Sequence, residues 1–312
     1  MTPATAHAPR CAPTSRDVGE PLAGTAPEAR TWLAVEQSGP WGRDAVTESH
    51  LDAVTGRTLA ARADGTGVRI ALIRRPGRHA DNHHTPSHRA VWIAHTAPGI
   101  TWMRRLDLPD ARALLDLDLA AVGAGVEPTV GTPDRDPLLL VCSNSKRDQC
   151  CAIEGRPLAT ELAITSAGRV WEASHLGGHR FAPTAVLLPH GLVHGRLDTS
   201  SGERILATSA TGRIDLATLR GRSCWSGPGQ AAEVHVRETF GLDGLDDVID
   251  VIEHVGPDAS PSWSVSVHIA DGHIYDTVVR AVVENDVLRP ESCVKPAVPL
   301  RSYAVESTAP TR

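Results

Sequence analysis

Short runs of apolar residues recur along the first part of the chain, and polar or Gly- and Pro-containing segments separate them. Four of these runs have the length and the β-branched content of strands, and they cover residues 31–37, 68–74, 90–95 and 100–106. Between the first two runs, apolar positions at helical spacing over residues 43–63 predict one or two short helices. The predicted order of this first unit is therefore strand, helix and three strands.

A second unit with the same predicted order follows a stretch rich in Gly and Pro at residues 123–136. It has strands at 138–142, 169–173, 185–189 and 192–196, with a helix near 156–163. Two units with the same order of predicted strands and helix suggest a pseudo-duplication. The remaining predicted elements are helices near 110–119, 216–220 and 230–240, and a strand pair, 262–269 and 274–283, joined by Asp271-Gly272.

These elements predict an α/β fold with thioredoxin-like units, a central mixed β-sheet and a small C-terminal α+β segment. The length of 312 residues suits roughly two domains at about 150 residues each. The predicted parts are a flexible leader at 1–26, an N-terminal thioredoxin-like unit at 27–122, a second thioredoxin-like unit at 137–240 and a C-terminal α+β segment at 241–312.

Composition and charge narrow the class of protein. Hydrophobic residues make up 41% and charged residues 22%, which is typical of a globular chain. The net charge is −6 and the basic residues form no run of five, so nucleic-acid binding is not indicated. The longest apolar run, 138–142, is far short of the ~20 residues that cross a membrane. The N-terminus shows no apolar stretch after a basic start, so no signal peptide is indicated and a cytoplasmic location is expected.

Two loops carry most of the candidate chemistry. Cys142 ends a predicted buried strand, and Cys150 and Cys151 follow where a helix is expected to begin. Downstream, His175 and His179 lie on either side of a Gly-Gly pair. Because Cys151 and His175 are 24 positions apart, the length of one helix and one strand, a thioredoxin-like order returns the second loop to the first. Two thiolates and two imidazoles suit either a tetrahedral zinc ion or an iron–sulfur cluster, and the spacing leaves both open.

The chain resembles the sucrase/ferredoxin-like family, relatives of thioredoxin-fold [2Fe–2S] ferredoxins, in residues 139–142, 147–152, 170–183 and 188–196. Shorter blocks at 21–26, 39–42, 220–223, 230–233 and 292–293 extend the resemblance over most of the chain. It implies a ferredoxin unit at 137–240 and a [2Fe–2S] cluster held by Cys142, Cys151, His175 and His179. The family spacing of eight intervening residues selects Cys151 rather than Cys150 as the second thiolate. The two histidines replace the Cys-x3-Cys pair of thioredoxin-fold ferredoxins.

The resemblance also implies a function. Neutral imidazoles in place of thiolates raise the reduction potential of a cluster, so an electron carrier of intermediate potential is expected rather than an enzyme with its own substrate. Its partner would be a redox protein, either a reductase or an acceptor. The neighbours expected around the cluster are Arg147, Asp148 and Arg180.

Two other functions stay open at this point. The first is a Cys2His2 zinc module with a structural or interaction role. The second is a thiol–disulfide oxidoreductase that uses Cys150 with Cys151 or Cys142, although no Cys-x-x-Cys stands at a helix start. Sucrose hydrolysis needs two acidic groups across a sugar-binding cleft, and no such pair is evident in the sequence.

The remaining histidines and cysteines have simpler interpretations. The segment 79–88 contains four histidines and is predicted to be a solvated polar loop. Cys11, Cys224 and Cys293 are predicted to be packed or spare thiols, which would supply ligands if the histidine pair does not.

Overall fold

The computed structural model describes residues 10–77, 88–255 and 261–311, and most of its strands belong to one large sheet. These strands are β1 Thr31–Glu36, β2 Val68–Arg74, β3 Arg89–His95, β4 Trp102–Leu108, β5 Thr132–Pro133, β6 Leu138–Cys142, β7 Val170–Ala173, β8 Ala185–Leu188, β9 Leu192–His194 and β10 Leu219–Arg222. A second sheet contains β11 Val248–Val255, β12 Ser262–Ile269, β13 Ile274–Pro290 and β14 Ala297–Pro310.

The helices are α1 Cys11–Asp17, α2 Ala45–Glu48, α3 Ala53–Ala63, α4 Leu119–Gly123, α5 Gln149–Thr165, α6 Thr199–Ala210 and α7 Gly227–Phe240. Short 3-10 segments form at Ala111–Asp116 and His179–Phe181. Among the described residues, none of the helices combines the length and the apolar character that a membrane span requires.

Most of the large sheet consists of two units with the same topology, and β5 and β10 extend it at its two edges. In unit one, residues 31–123, the strand order is β2-β1-β3-β4, and in unit two, residues 138–210, it is β7-β6-β8-β9. In each unit the first two strands are parallel and the others are antiparallel to their neighbours. A helical segment, α2–α3 or α5, makes each parallel crossover. This is a thioredoxin-like arrangement, so the predicted α/β fold class is confirmed and the duplication is visible in the topology.

The two units join edge to edge through β2 and β7, which pair antiparallel at Ile73↔Ala173 and Arg74↔Glu172. Strands in the middle of this sheet are buried along their whole length, as in β6, because both faces are covered. On one face a single apolar core spans both units and includes Trp92 and Trp171, whose ring centroids are 5.2 Å apart. Cys142 and Cys151 belong to this shared core, so the candidate site lies where the two units meet.

The C-terminal α+β segment is also confirmed. The second sheet is antiparallel in the order β11-β12-β13-β14, and α7 packs on it through Ala231, Ala232 and Val236. These helix residues contact the buried valines of β12 and β13. The predicted hairpin at Asp271-Gly272 forms between β12 and β13.

Some predicted elements differ from the structure. Residues 10–26, predicted as part of a flexible leader, contain α1, where Cys11, Ala12 and Ser15 are buried. The small side chains of α1 fit against the 3-10 segment 179–181 and β13, and no local pattern reveals that contact. Residues 216–220, predicted as a helix, enter the edge strand β10 because β9 offers it a hydrogen-bonding partner. The sequence patterns did not predict α6.

Candidate metal centre

The two candidate loops leave the sheet at the same edge. Cys142 is the last residue of β6, and β6 runs parallel to β7 with Cys142 opposite Ala173. The loop that carries His175 and His179 begins directly after Ala173. Because parallel neighbours end on the same side, the loops at their carboxyl ends lie together, which is where open α/β sheets bind ligands.

The first turn of α5 directs the side chains of its two adjacent cysteines to different sides of the helix. Asp148 caps this helix, and its Oδ1 accepts a hydrogen bond from the backbone N–H of Cys150 at 2.9 Å. Gly155 lets the helix approach β6 closely, since a Cβ there would collide with the carbonyl oxygen of Cys142. Consecutive residues of a helix point about 100° apart. Cys151 therefore faces Cys142, while Cys150 faces α1.

One cluster, which we call the Cys142 group, consists of Cys142, Cys151 and His175. Their candidate ligand atoms all lie within 4.8 Å of one another, so the group can hold a metal ion. Each of the two cysteines is only 1% exposed. A hydrogen bond with the Cys151 thiol and the nearby His175 lower the pKa of Cys142 well below its usual value. The same contact raises the pKa of Cys151, so the pair favours a single thiolate on Cys142.

His179 lies beside this group rather than within it. Its ring centroid is 5.1 Å from that of His175, and its Nε2 is 3.8 Å from Oδ2 of Asp148. The Nδ1 atoms of His175 and His179 are both buried and have no hydrogen-bond partner among the described residues. Burial lowers the pKa of His179, which favours the neutral imidazole that metals bind. An imidazole that turns one nitrogen to a carboxylate while the other is free is typical of metal ligands.

The histidine loop is shaped by glycine and by a buried arginine. Gly178 has φ +72°, and a Cβ at this position would collide with the guanidinium of Arg220. Arg220 is 1% exposed and donates hydrogen bonds to the carbonyl oxygen of Gly177 at 3.1 Å and to Thr25 Oγ1 at 3.0 Å. Burial lowers its pKa to about 9. Arg220 therefore anchors the loop and adds a largely retained positive charge close to Cys142.

A second arginine near the site comes from unit one. Arg69 on β2 lies over the Trp32 ring, with its Cζ 5.6 Å from the ring centroid. Burial lowers its pKa, and the thiolate of Cys142 partly offsets this effect. No sequence motif points to Arg69, because its approach to Cys142 depends on the pairing of the two units. Arg220, by contrast, belongs to residues 220–223, one of the short segments that resemble the sucrase/ferredoxin-like family.

The three residues predicted to surround the site, Arg147, Asp148 and Arg180, make different contacts in the structure. Arg147 is partly exposed, and its charge lowers the pKa of Arg69. Arg180 donates to Oε1 of Glu20 at 2.7 Å, and its charge contributes to the lowered pKa of His179. Asp148 contacts both His179 and a second set of thiols. The histidine-rich segment 79–88, apart from His88, lies outside the described residues.

That second set, which we call the Cys11 group, consists of Cys11, Asp148, Cys150 and Cys293. Its candidate ligand atoms also lie within 4.8 Å of one another. The sequence offered Cys150 only as the less favoured ligand of the first site and Cys11 and Cys293 as spare thiols. The structure instead brings these three thiols together. Cys224 belongs to neither group.

Fold and site together define an α/β protein with a buried thiol–imidazole group that can hold a metal ion. The chain belongs to the sucrase/ferredoxin-like family, which matches residues 22–221. This match covers both units and all of the Cys142 group, whereas Cys11 and Cys293 lie outside it. Searches of curated proteins and of solved structures give no significant match.

Proposed function

We propose that this protein is an electron carrier that holds a [2Fe–2S] cluster through Cys142, Cys151, His175 and His179. The observation that carries the proposal is a pair of buried thiols beside two imidazoles whose buried Nδ1 atoms have no partner among the described residues. Leaving a buried polar atom unpaired costs about 1–3 kcal/mol. A bond from each Nδ1 to iron would remove that cost.

The donor set fits the cofactor. Two thiolates and two imidazoles are the ligands of Rieske-type [2Fe–2S] centres, which have higher potentials than all-cysteine ferredoxins. Bound there, the cluster would supply reversible one-electron transfer. Membership of the sucrase/ferredoxin-like family supports the same assignment.

The residues around the site suit this role. Arg69 and Arg220 hold positive charge near Cys142, so they favour the more negative, reduced state of the centre. The two cysteines are almost fully buried, which excludes water from their side of the site. The histidine loop is partly exposed at His175 and at 177–180. We assign this loop as the face at which a redox partner, either a reductase or an acceptor, docks.

A zinc module is the second candidate. The three ligand atoms of the Cys142 group lie close enough to share one ion, and His179 would complete a tetrahedral site. A thiol–disulfide oxidoreductase is less well supported, because reactive cysteines are partly exposed and both Cys142 and Cys151 are buried.

Metal analysis of the full chain, purified without oxygen, tests the proposal. We expect a red-brown protein with about two iron and two sulfide ions per chain and an electron paramagnetic resonance signal after reduction. Cys142→Ser should abolish the colour, and Cys224→Ser, which changes a cysteine outside both groups, should retain it. A colourless wild-type chain with zinc that Cys142→Ser removes would establish the zinc module instead.

A further inference from the structure

The Cys11 group joins three distant segments of the chain. Cys11 begins α1, Asp148 and Cys150 stand at the start of α5, and Cys293 lies in the loop between β13 and β14. Cys11 and Cys293 are 282 positions apart in the sequence. Both of them lie outside the residues that match the family, whereas Asp148 and Cys150 lie within them.

The four donors lie at, or a few tenths of an ångström inside, the separations expected of ligands around one small ion. The Sγ atom of Cys293 lies 3.3 Å from that of Cys150 and 3.5 Å from that of Cys11. Oδ1 of Asp148 is 3.1 Å from Sγ of Cys293 and 3.5 Å from Sγ of Cys11. A tetrahedral zinc ion with Zn–S bonds of about 2.3 Å and Zn–O bonds of about 2.0 Å separates its sulfur ligands by about 3.8 Å and sulfur from oxygen by about 3.5 Å.

Asp148 is held in position by hydrogen bonds from the backbone. Its Oδ1 accepts from the N–H of Cys150 at 2.9 Å, and its Oδ2 accepts from the N–H of Cys293 at 2.9 Å. The hydroxyl of Ser292 donates to Oδ2 at 3.0 Å. Metal-ligating carboxylates are fixed by outer contacts of this kind. The carboxylate therefore faces the three thiols in a defined orientation.

We propose that the Cys11 group is a second metal site, in which one Zn²⁺ is bound by the thiolates of Cys11, Cys150 and Cys293 and by the carboxylate of Asp148. Three thiolates and one further donor in a closed tetrahedral arrangement are typical of structural zinc. Cys11, Asp148 and Cys150 are buried, and the partly exposed Cys293 provides the path of entry. The bound ion would fasten α1 and the β13–β14 loop to the start of α5.

A Zn²⁺ titration of full-length variants under reducing conditions, with a chromogenic chelator as competitor, tests the site. The reference variant is Cys142→Ser, because it disables the first site. We expect it to bind one Zn²⁺ per chain at the second site. Adding Cys293→Ser or Cys11→Ser should weaken that binding at least ~100-fold, since the loss of even an outer contact to a ligand typically costs 10–100-fold. Adding Cys224→Ser should leave it unchanged.

A Co²⁺ spectrum gives a second measurement on the same variants. Thiolate-to-cobalt absorption grows with the number of thiolates, so Cys11→Ser should lower its intensity by about one third if Co²⁺ remains bound. Circular dichroism establishes whether each variant is folded.

Equal Zn²⁺ affinity of the folded Cys142→Ser and Cys142→Ser/Cys293→Ser chains would overturn the second site, and so would the absence of binding to Cys142→Ser. Failure of the proposed electron-transfer function would appear separately, as wild-type protein without iron.

Discussion

Unit one and unit two have the same strand order, yet within residues 10–77, 88–255 and 261–311 only unit two brings candidate metal ligands together at its strand ends. β6 ends on Cys142, which faces Cys151 and His175. The corresponding strand of unit one, β1, ends on Glu36 and is followed by Gln37. Gln37 is buried and accepts a hydrogen bond from Nη1 of Arg89 at 2.6 Å. After the first strand of each unit, unit two thus has residues that can hold a metal ion, whereas unit one has a packed polar contact.

Strand topology and loop sequence contribute differently to the candidate site. The topology places the carboxyl ends of two parallel strands side by side in each unit, and the residues that follow the strands decide whether this edge has a chemical function. Unit one has a different role at the site, since β2 supplies Arg69 across the junction between the units. Unit two therefore carries the candidate ligands, and unit one adds part of the electrostatic environment.

The largest effect on bound iron should come from replacing one cysteine at the start of α5 with serine. Cys151→Ser removes a thiol that faces Cys142, so we expect loss of nearly all visible absorption and of the bound iron. Cys150→Ser changes the adjacent residue, which faces Cys11 and Cys293, and should leave the iron content nearly unchanged. Iron and sulfide analysis of both proteins measures the difference. If Cys150→Ser alone lost the iron, the assignment of Cys151 as the ligand would be wrong.

Exchanging an imidazole for a thiolate should shift the potential. His175→Cys and His179→Cys each add negative charge to the ligand set, which disfavours reduction. We expect a retained cluster whose reduction potential falls by on the order of 100 mV for each change, in the direction of all-cysteine ferredoxins. Potentiometric titration of the two single variants and the double variant measures this shift. Unchanged potentials would show that these histidines do not bind iron.

The elements that the sequence predicted well are those with a strong local pattern. Strands β6 to β9 are apolar runs bounded by turn residues, and the two loops between them carry the ligand types. α6 contains only two large apolar side chains, Ile205 and Leu206, and its clearest local signal is the capping box of Asp198 and Ser201. The Cys11 group had no local signal, because it needs α1, α5 and the β13–β14 loop to meet. Contacts over such separations are fixed by packing rather than by propensity.

The junction between the units offers a stability test. Arg74 on β2 donates to Oε2 of Glu172 on β7 from Nε at 3.0 Å and from Nη2 at 2.6 Å, and both side chains are buried. Arg74→Met removes the closer arginine charge at Glu172, while Arg156, whose Nε is 3.8 Å from Oε2, remains. We expect a loss of about 2 kcal/mol in the free energy of unfolding, less than for a fully broken buried ion pair, because Arg156 and the hydroxyl of Ser143 still contact the Glu172 carboxylate.

The control for this experiment is Arg280→Met, which breaks an exposed ion pair with Glu306. This change should cost less than about 1 kcal/mol. Chemical denaturation of the three proteins gives both values. Equal losses for the two variants would mean that the Arg74–Glu172 contact contributes no more than a surface pair.

Acid should weaken unit two through buried His194. Its Nδ1 is 3.0 Å from Thr218 Oγ1, and its Nε2 is buried without a partner among the described residues. Burial lowers the pKa of His194 from 6.5 to about 4. Between these two values the unfolded chain binds a proton that the folded chain does not, so stability falls as the pH is lowered through this window. The full contribution of this residue is about 3 kcal/mol at 1.36 kcal/mol per pKa unit.

The variant His194→Asn keeps a polar atom near the position of Nδ1 and removes the titrating ring. Its free energy of unfolding should therefore decline less between pH 6.5 and pH 4 than that of the wild type, by up to about 3 kcal/mol. Arg280→Met should give a curve parallel to the wild type, because it changes only an exposed ion pair. Denaturant titrations at several pH values measure these slopes. A slope for His194→Asn as steep as that of the wild type would show that His194 takes up its proton in the folded protein as readily as in the unfolded chain.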